Sequence, residues 1–252
     1  MSAQDRVDLH VKVLSDDVVS RAKQCGLDVL VYAPHFTPLP EIEAAARRYS
    51  DDELQIVPAR EVFTGHWRDR KHVLALGLSD PIPDFITLEG AMAEFDRQDA
   101  VVLVPHPTFA TVSLGREDLR RYRSQIDAIE VFNPKHLPMH NRRAQAAAAE
   151  LELPAYTSSY AHLTRSVGLA RTAFETEIDS ERTLLSALES GADRRIEHVT
   201  GVRRWIGTAG ELGHLVWENT WKKARRIPGP GIEPTHPDDP RYAGRFDDVS
   251  VY

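Results

Sequence analysis

Six residues of chemistry-bearing type recur at one topological point of an alternating strand and helix pattern. His10 lies in the first apolar strand, His35 just after the second, Glu61 at the end of the third, and His72 opens the fourth. His106 and His162 each follow a later strand. A lone histidine at a strand end is most often merely hydrogen-bonded or exposed. Five of them with a carboxylate are different, because packed imidazoles without a counter-ion are poorly solvated and a divalent metal gives them a reason to coexist. Mixed nitrogen and oxygen donors suit zinc, manganese or iron better than calcium. The expected cofactor is Zn2+ or Mn2+, with Fe2+ as the other choice, in one or two ions. The chemistry this offers is metal-assisted hydrolysis.

The elements that must carry these residues are legible as short apolar runs. Strands are predicted at 7–13, 28–33, 55–61, 72–78, 100–105, 127–132 and 154–159. Helices fall between them, near 39–49, 88–98, 116–122 and 138–150, with a first one capped by Ser15 and ended by Gly26. In parallel α/β folds the carboxyl ends of the strands meet at one face, which is where the six residues would converge. In "VDLHVKV", Val7, Leu9, Val11 and Val13 alternate, so Asp8, His10 and Lys12 are expected together on the other face. A histidine in place of Lys12 would complete an H-x-H clamp.

Further helices are expected from Asp179-Ser180 to Gly191 and over 209–225. From Ile227 the chain is too rich in proline for regular structure. Ile232, Tyr242, Phe246 and Tyr252 predict an extended tail lying over the body or over a neighbouring subunit, a route to a homo-oligomer. The division expected is a barrel over 1–190, a helical extension over 191–226 and a tail over 227–252.

Composition narrows the partners. The net charge of −7 argues against a general nucleic-acid binder. No apolar run is long enough to span a bilayer and no signal peptide is visible, so a cytoplasmic protein with no membrane partner is expected. The single cysteine, Cys25, rules out an intramolecular disulfide. His66, His136, His140, His198, His214 and His236 fall outside the pattern and are expected mostly at the surface.

With these residues in hand, the chain resembles the PHP family, the polymerase and histidinol phosphatase type of metal-dependent phosphoesterase. "DLHVK" looks like its D-L-H-x-H opening, "GLDVLVYAPH" like its G-L-D strand ending in T-D-H, and "PAREVFTG" with "KHVLALGL" like its G-x-E and G-H elements. "VLVPHP" is similar to its A-H-P strand. "IEVFNPKH" and "NRRAQAAAAELELPAYTSSYAH" resemble its I-E-V-x-N and G-S-D-A-H segment, and "RSVGLARTAFE" the stretch that follows. The resemblance covers about residues 7 to 190.

It implies a distorted (β/α)7 barrel with a metal cluster at the strand ends, C-terminal helices, a PHP-associated segment and an extended tail. It implies hydrolysis of small phosphate esters, nucleotide or sugar phosphomonoesters, by metal-activated water. His10, His35, Glu61, His72, His106 and His162 match the family's ligands, with Glu61 as the bridging carboxylate. The alternative is a decayed barrel acting as a binding or structural subunit.

Four departures bear on the site. Lys12 stands where the second histidine of the clamp belongs, and Tyr160 where the aspartate of S-D-A-H belongs. Pro34 replaces the aspartate of T-D-H. The S-D-G loop is missing, with Asp16 or Asp17 left as candidates to reach the site. Glu61, His72 and His106 are then expected to hold one metal, and His35 and His162 a second. Lys12 would stand in for a lost cation, with Tyr160 as its hydrogen-bond partner. Lys12 and Arg165, with Arg60 beside them, are the candidates to neutralise phosphate.

Overall fold

The computed structural model describes residues 4–66, 70–108, 112–200 and 233–251. In chain order the elements are β1 (Asp5–Val11), α1 (Asp16–Gln24), β2 (Val29–Tyr32), α2 (Leu39–Tyr49), β3 (Gln55–Thr64), β4 (Lys71–Leu76), α3 (Leu88–Arg97), β5 (Val101–Val104), α4 (Arg116–Arg121), β6 (Ala128–Phe132), α5 (Pro138–Leu151), β7 (Ala155–Thr157), β8 (Ala170–Phe174), α6 (Glu181–Glu189) and β9 (Arg194–His198). The helix starts follow their sequence signals. Ser15 accepts from the Val18 N–H with Asp16 and Asp17 in the first turn of α1, and Ser180 caps α6. Pro138 opens α5 at a position where its missing N–H costs nothing.

The strands form one sheet in the order β7-β6-β5-β4-β3-β2-β1-β8-β9. It curls until its β7 end reaches β1: Val11 bridges Ala161, and the Lys12 N–H donates to the Ala161 carbonyl at 2.9 Å. The result is a nearly closed barrel with helices outside it. Two features differ from the expected parallel barrel of seven strands. β4 runs antiparallel to both of its neighbours, β3 and β5, and the link from Thr64 to Lys71 is too short for the crossover helix that a parallel β3–β4 pair would need. β8 pairs antiparallel with β1, and β9 with β8. β9 also replaces part of the helical extension expected over 191–226. The helix expected over 209–225 lies outside the described residues, as do His214, Ile232 and Tyr252.

The barrel interior is laid in rows. Val29, Val31 and Ala33 of the β2 run, Val57 and Ala59 of β3, Leu74 and Leu76 of β4, and Leu103, Ala128 and Tyr156 share one buried cluster. These side chains form the floor. One step further along the same rows come His35, Glu61 and His72, which therefore emerge above it. Because β4 runs backwards, its first residues arrive at the same face as the last residues of β3.

β1 breaks its own alternation. Val7 and Leu9 join the interior cluster, but Val11 packs outward with Val18, Leu30 and Ile56. The pairing register with β2 shifts between Asp8 and Val11, so the four apolar residues do not share one face. The bulge turns both His10 and Lys12 into the barrel mouth. Asp8 stays on the other side, accepting from the backbone N–H of Ser159 at 2.9 Å and of Gly168 at 3.1 Å.

The tail packs onto its own barrel over residues 233–251. Tyr242 and Phe246 are buried in the outer core, Thr87 N–H donates to the Val249 carbonyl, and Val251 N–H to that of Phe85. Gly90 leaves room for this contact, since a Cβ there would lie 2.8 Å from Val249 Cβ. Among the described residues no helix is long and apolar enough to cross a membrane.

Candidate metal centre

Glu61 is fully buried, and its two carboxylate oxygens face different company. Oε2 meets Lys12 Nζ at 2.5 Å and His35 Nε2 at 2.9 Å. Oε1 faces three imidazole nitrogens at longer range: His106 Nε2 at 3.4 Å, His72 Nδ1 at 3.5 Å and His10 Nε2 at 3.7 Å. Glu61, His72 and His106 offer one donor atom each, all within 4.8 Å of one another. Two ligands of a tetrahedral zinc with bonds of about 2.1 Å stand about 3.4 Å apart. The spacings around Oε1 match that edge, whereas Oε2 takes a short hydrogen bond from Lys12 and stands closer to His35 Nε2 than that edge.

The protonation pattern at His106 points the same way. The Ser113 hydroxyl donates to the His106 carbonyl oxygen at 2.5 Å, and the same Oγ lies 3.0 Å from His106 Nδ1. A hydroxyl has one proton, so with that proton on the carbonyl it is Nδ1 that donates. In the neutral ring Nε2 is then the lone-pair nitrogen, and it faces the Glu61 carboxylate, where a cation between them would satisfy both. Both ring nitrogens of His10 and of His72 are buried without a hydrogen-bond partner, which unligated imidazoles avoid. Burial pushes the His72 ring down to about 3 and His10 well below its usual range, so both stay neutral and able to ligate. Burial also works to raise Glu61, but Lys12 and the facing imidazoles hold its carboxyl well below the usual range.

Other side chains fix these groups in place. Glu130, buried on β6, accepts from the His106 N–H at 2.8 Å, from Asn133 Nδ2 at 3.1 Å and from Ser158 Oγ at 2.8 Å. His106 and Tyr160 both take positive φ, 36° and 49°, a conformation that costs energy and clusters at functional sites. Phe63 sets its ring edge-on to His72 at 4.1 Å and to His35 at 5.0 Å, and stacks on Phe36 at 4.7 Å. The site opens at His35, whose side chain is 29% exposed.

Several expectations are corrected. Tyr160 meets Lys12 through its ring, 5.7 Å from Nζ to the centroid, and the ammonium spends its protons on Glu61 and on the Ala33 carbonyl at 2.6 Å. Arg60 lies on β3 next to Glu61 and so points the opposite way, where it is buried against Asp84, Thr37 and Ile82. Arg165 is exposed on the 3-10 turn Thr164–Ser166, and Asp16 and Asp17 are exposed on α1. None of these four is brought to Glu61. His136, expected at the surface, is half-buried 6.4 Å from the His106 ring, and His236 is buried beside Phe85.

Lys135 is the site residue that the sequence did not single out. Its ammonium donates to the Tyr160 carbonyl, lies 2.8 Å from His162 Nδ1, and sits over the Tyr160 ring at 4.4 Å. It is placed by a reciprocal pair that ties the loop before α5 to the helix: Asn133 N–H donates to Asn141 Oδ1 and Asn141 Nδ2 to the Asn133 carbonyl. The "FNPKH...N" run carried the signal, but only contacts across the fold give it meaning.

A buried carboxylate ringed by imidazoles at the mouth of a curled sheet defines a metal-centre barrel. Residues 138–192 match the family model described as PHP-associated, a stretch that runs from α5 through β7 and β8 to just past α6. The fold is shared with solved structures at low identity. PsfC from Pseudomonas syringae aligns over 88% of this chain and 100% of its own, with 20% identity and a TM-score of 0.62. The lesion-specific endonuclease PfuEndoQ from Pyrococcus furiosus aligns over 77% of this chain and 58% of its own, with 17% identity and a TM-score of 0.55. An amidohydrolase from Chromobacterium violaceum aligns over 75% and 97%, with 15% identity and a TM-score of 0.52. No curated protein sequence matches the chain. Residues 138–192 are thus a PHP-associated segment, set within a nearly closed α/β barrel whose fold these solved structures share.

Proposed function

We propose that the protein is a metal-dependent hydrolase of small phosphate esters, nucleotide or sugar phosphomonoesters, working in the cytoplasm. The observation that carries this is the set of imidazole nitrogens turned on Glu61 Oε1, with the His106 tautomer set by Ser113. Glu61, His72 and His106 would hold the ion, with His10 beside them, and the donor set suits Zn2+ or Mn2+. A bound divalent metal supplies two things, a water whose pKa falls to about 7 and polarisation of a phosphoryl oxygen.

The chain's own groups do the rest. Lys12 and Lys135 bring positive charge to the mouth, beside the buried Glu61 carboxylate and His162. The Phe63 and Tyr160 rings cover the flanks and keep bulk water from the carboxylate. The acidic net charge of −7 favours a small ester over a long polyanion, although PfuEndoQ, of similar fold, is a nuclease.

A panel of nucleoside and sugar phosphates, assayed for released phosphate with Mn2+ or Zn2+, tests the reading. Metal-dependent release that Glu61→Gln eliminates supports it. Metal bound at the site with no ester turned over would favour the non-catalytic binding barrel.

A further inference from the structure

The expected second metal needs His35 and His162, yet the structure places ammonium groups against the partners that metal would use. Lys12 Nζ lies 2.5 Å from Glu61 Oε2 and 2.6 Å from the Ala33 carbonyl, beside His35 Nε2 on the same oxygen. Lys135 Nζ lies 2.8 Å from His162 Nδ1. An ammonium has only protons to give, so Nδ1 accepts and the proton of the neutral ring sits on Nε2. The Tyr160 carbonyl, 3.1 Å from the same Nδ1, takes another proton of Lys135. The Nδ1 of His162, the nitrogen that faces Lys135, is therefore not offered to an ion. Tyr160 occupies the place of a carboxylate with a ring, lying between the two lysines at 5.7 Å and 4.4 Å from centroid to Nζ.

The two ends of Glu61 are therefore unlike. Oε1 keeps imidazole nitrogens at ligand-edge spacing, and Oε2 is closed by a hydrogen bond from a cation that needs no ligands. We propose that the centre holds a single divalent ion, on Glu61, His72 and His106 with His10 adjacent, and that Lys12 and Lys135 replace further metal ions as fixed cations that bind the phosphoryl oxygens. This rests on the hydrolase reading above. It specifies a site whose positive charge comes partly from the chain itself, so that metal excess cannot raise its cation count.

The test uses the full chain, stripped with chelator, reloaded with excess ZnCl2 and desalted. Ions per chain are measured by plasma mass spectrometry, and inorganic phosphate binding to the loaded protein by calorimetry. One zinc per chain is the expected result. Two or three per chain would overturn the single-ion proposal and leave the hydrolase reading standing, whereas none would overturn both. Lys12→Met and Lys135→Met, checked for an intact melting transition, should each keep one zinc while phosphate affinity falls at least about tenfold. Unchanged phosphate affinity in both folded variants would overturn the role given to the lysines. Should either fail to fold, the zinc count of the wild-type chain still decides.

Discussion

Lys12 and Glu61 form a buried ion pair, Nζ to Oε2 2.5 Å, joining the first strand of the barrel to its third. Removing one member of such a pair leaves the other charge buried without compensation, a loss of about 3–5 kcal/mol. The metal-free Glu61→Gln variant should therefore unfold at markedly lower urea than wild type. Lys12→Met combined with Glu61→Gln should recover most of that loss, because both charges are gone. Equal unfolding midpoints for wild type and Glu61→Gln would contradict the pairing.

Ser113 sets the tautomer of His106 without touching the ion itself, and groups in that position typically change metal affinity by about 10–100-fold. Ser113→Ala removes the acceptor for His106 Nδ1 and the donor to its carbonyl. Zinc affinity measured by competition with a chromogenic chelator should fall within that range while the fold persists. An unchanged affinity would show that the serine does not orient the ring.

Asp8 and Gly168 tie the start of the barrel to its end. Gly168 has φ of 74°, which turns its N–H toward Asp8 Oδ2, and a Cβ there would lie 2.8 Å from Cys25 Cβ. Gly168→Ala meets both the left-handed penalty of about 1–2 kcal/mol and a contact with little room to relax. Its melting temperature should drop by several degrees. Melting at the wild-type temperature would mean that the turn reshapes freely.

Much of the candidate site was legible because polar residues interrupt apolar strand rows at regular steps. Glu61 follows Val57 and Ala59, and His72 precedes Leu74 and Leu76, so both had to point inward. The same parity excludes Arg60, which alternates to the outside. The bulge in β1 was not legible, since nothing in "VDLHVKV" marks where alternation resets. β9 escaped notice because "RRIEH" holds one apolar residue among charges, as an edge strand does. Lys135 lies on a loop with no period, and only the Asn133–Asn141 pairing and the distant Tyr160 and His162 give it a task.

The most direct test of the central claim is an anomalous difference map, recorded at the zinc edge, from crystals of the reloaded protein. The account predicts a peak bounded by Glu61 Oε1, His72 Nδ1 and His106 Nε2, with no peak between Lys12 and His35. Density that leaves those three ligands bare, or that sits instead among Lys12, His35 and His162, would contradict it.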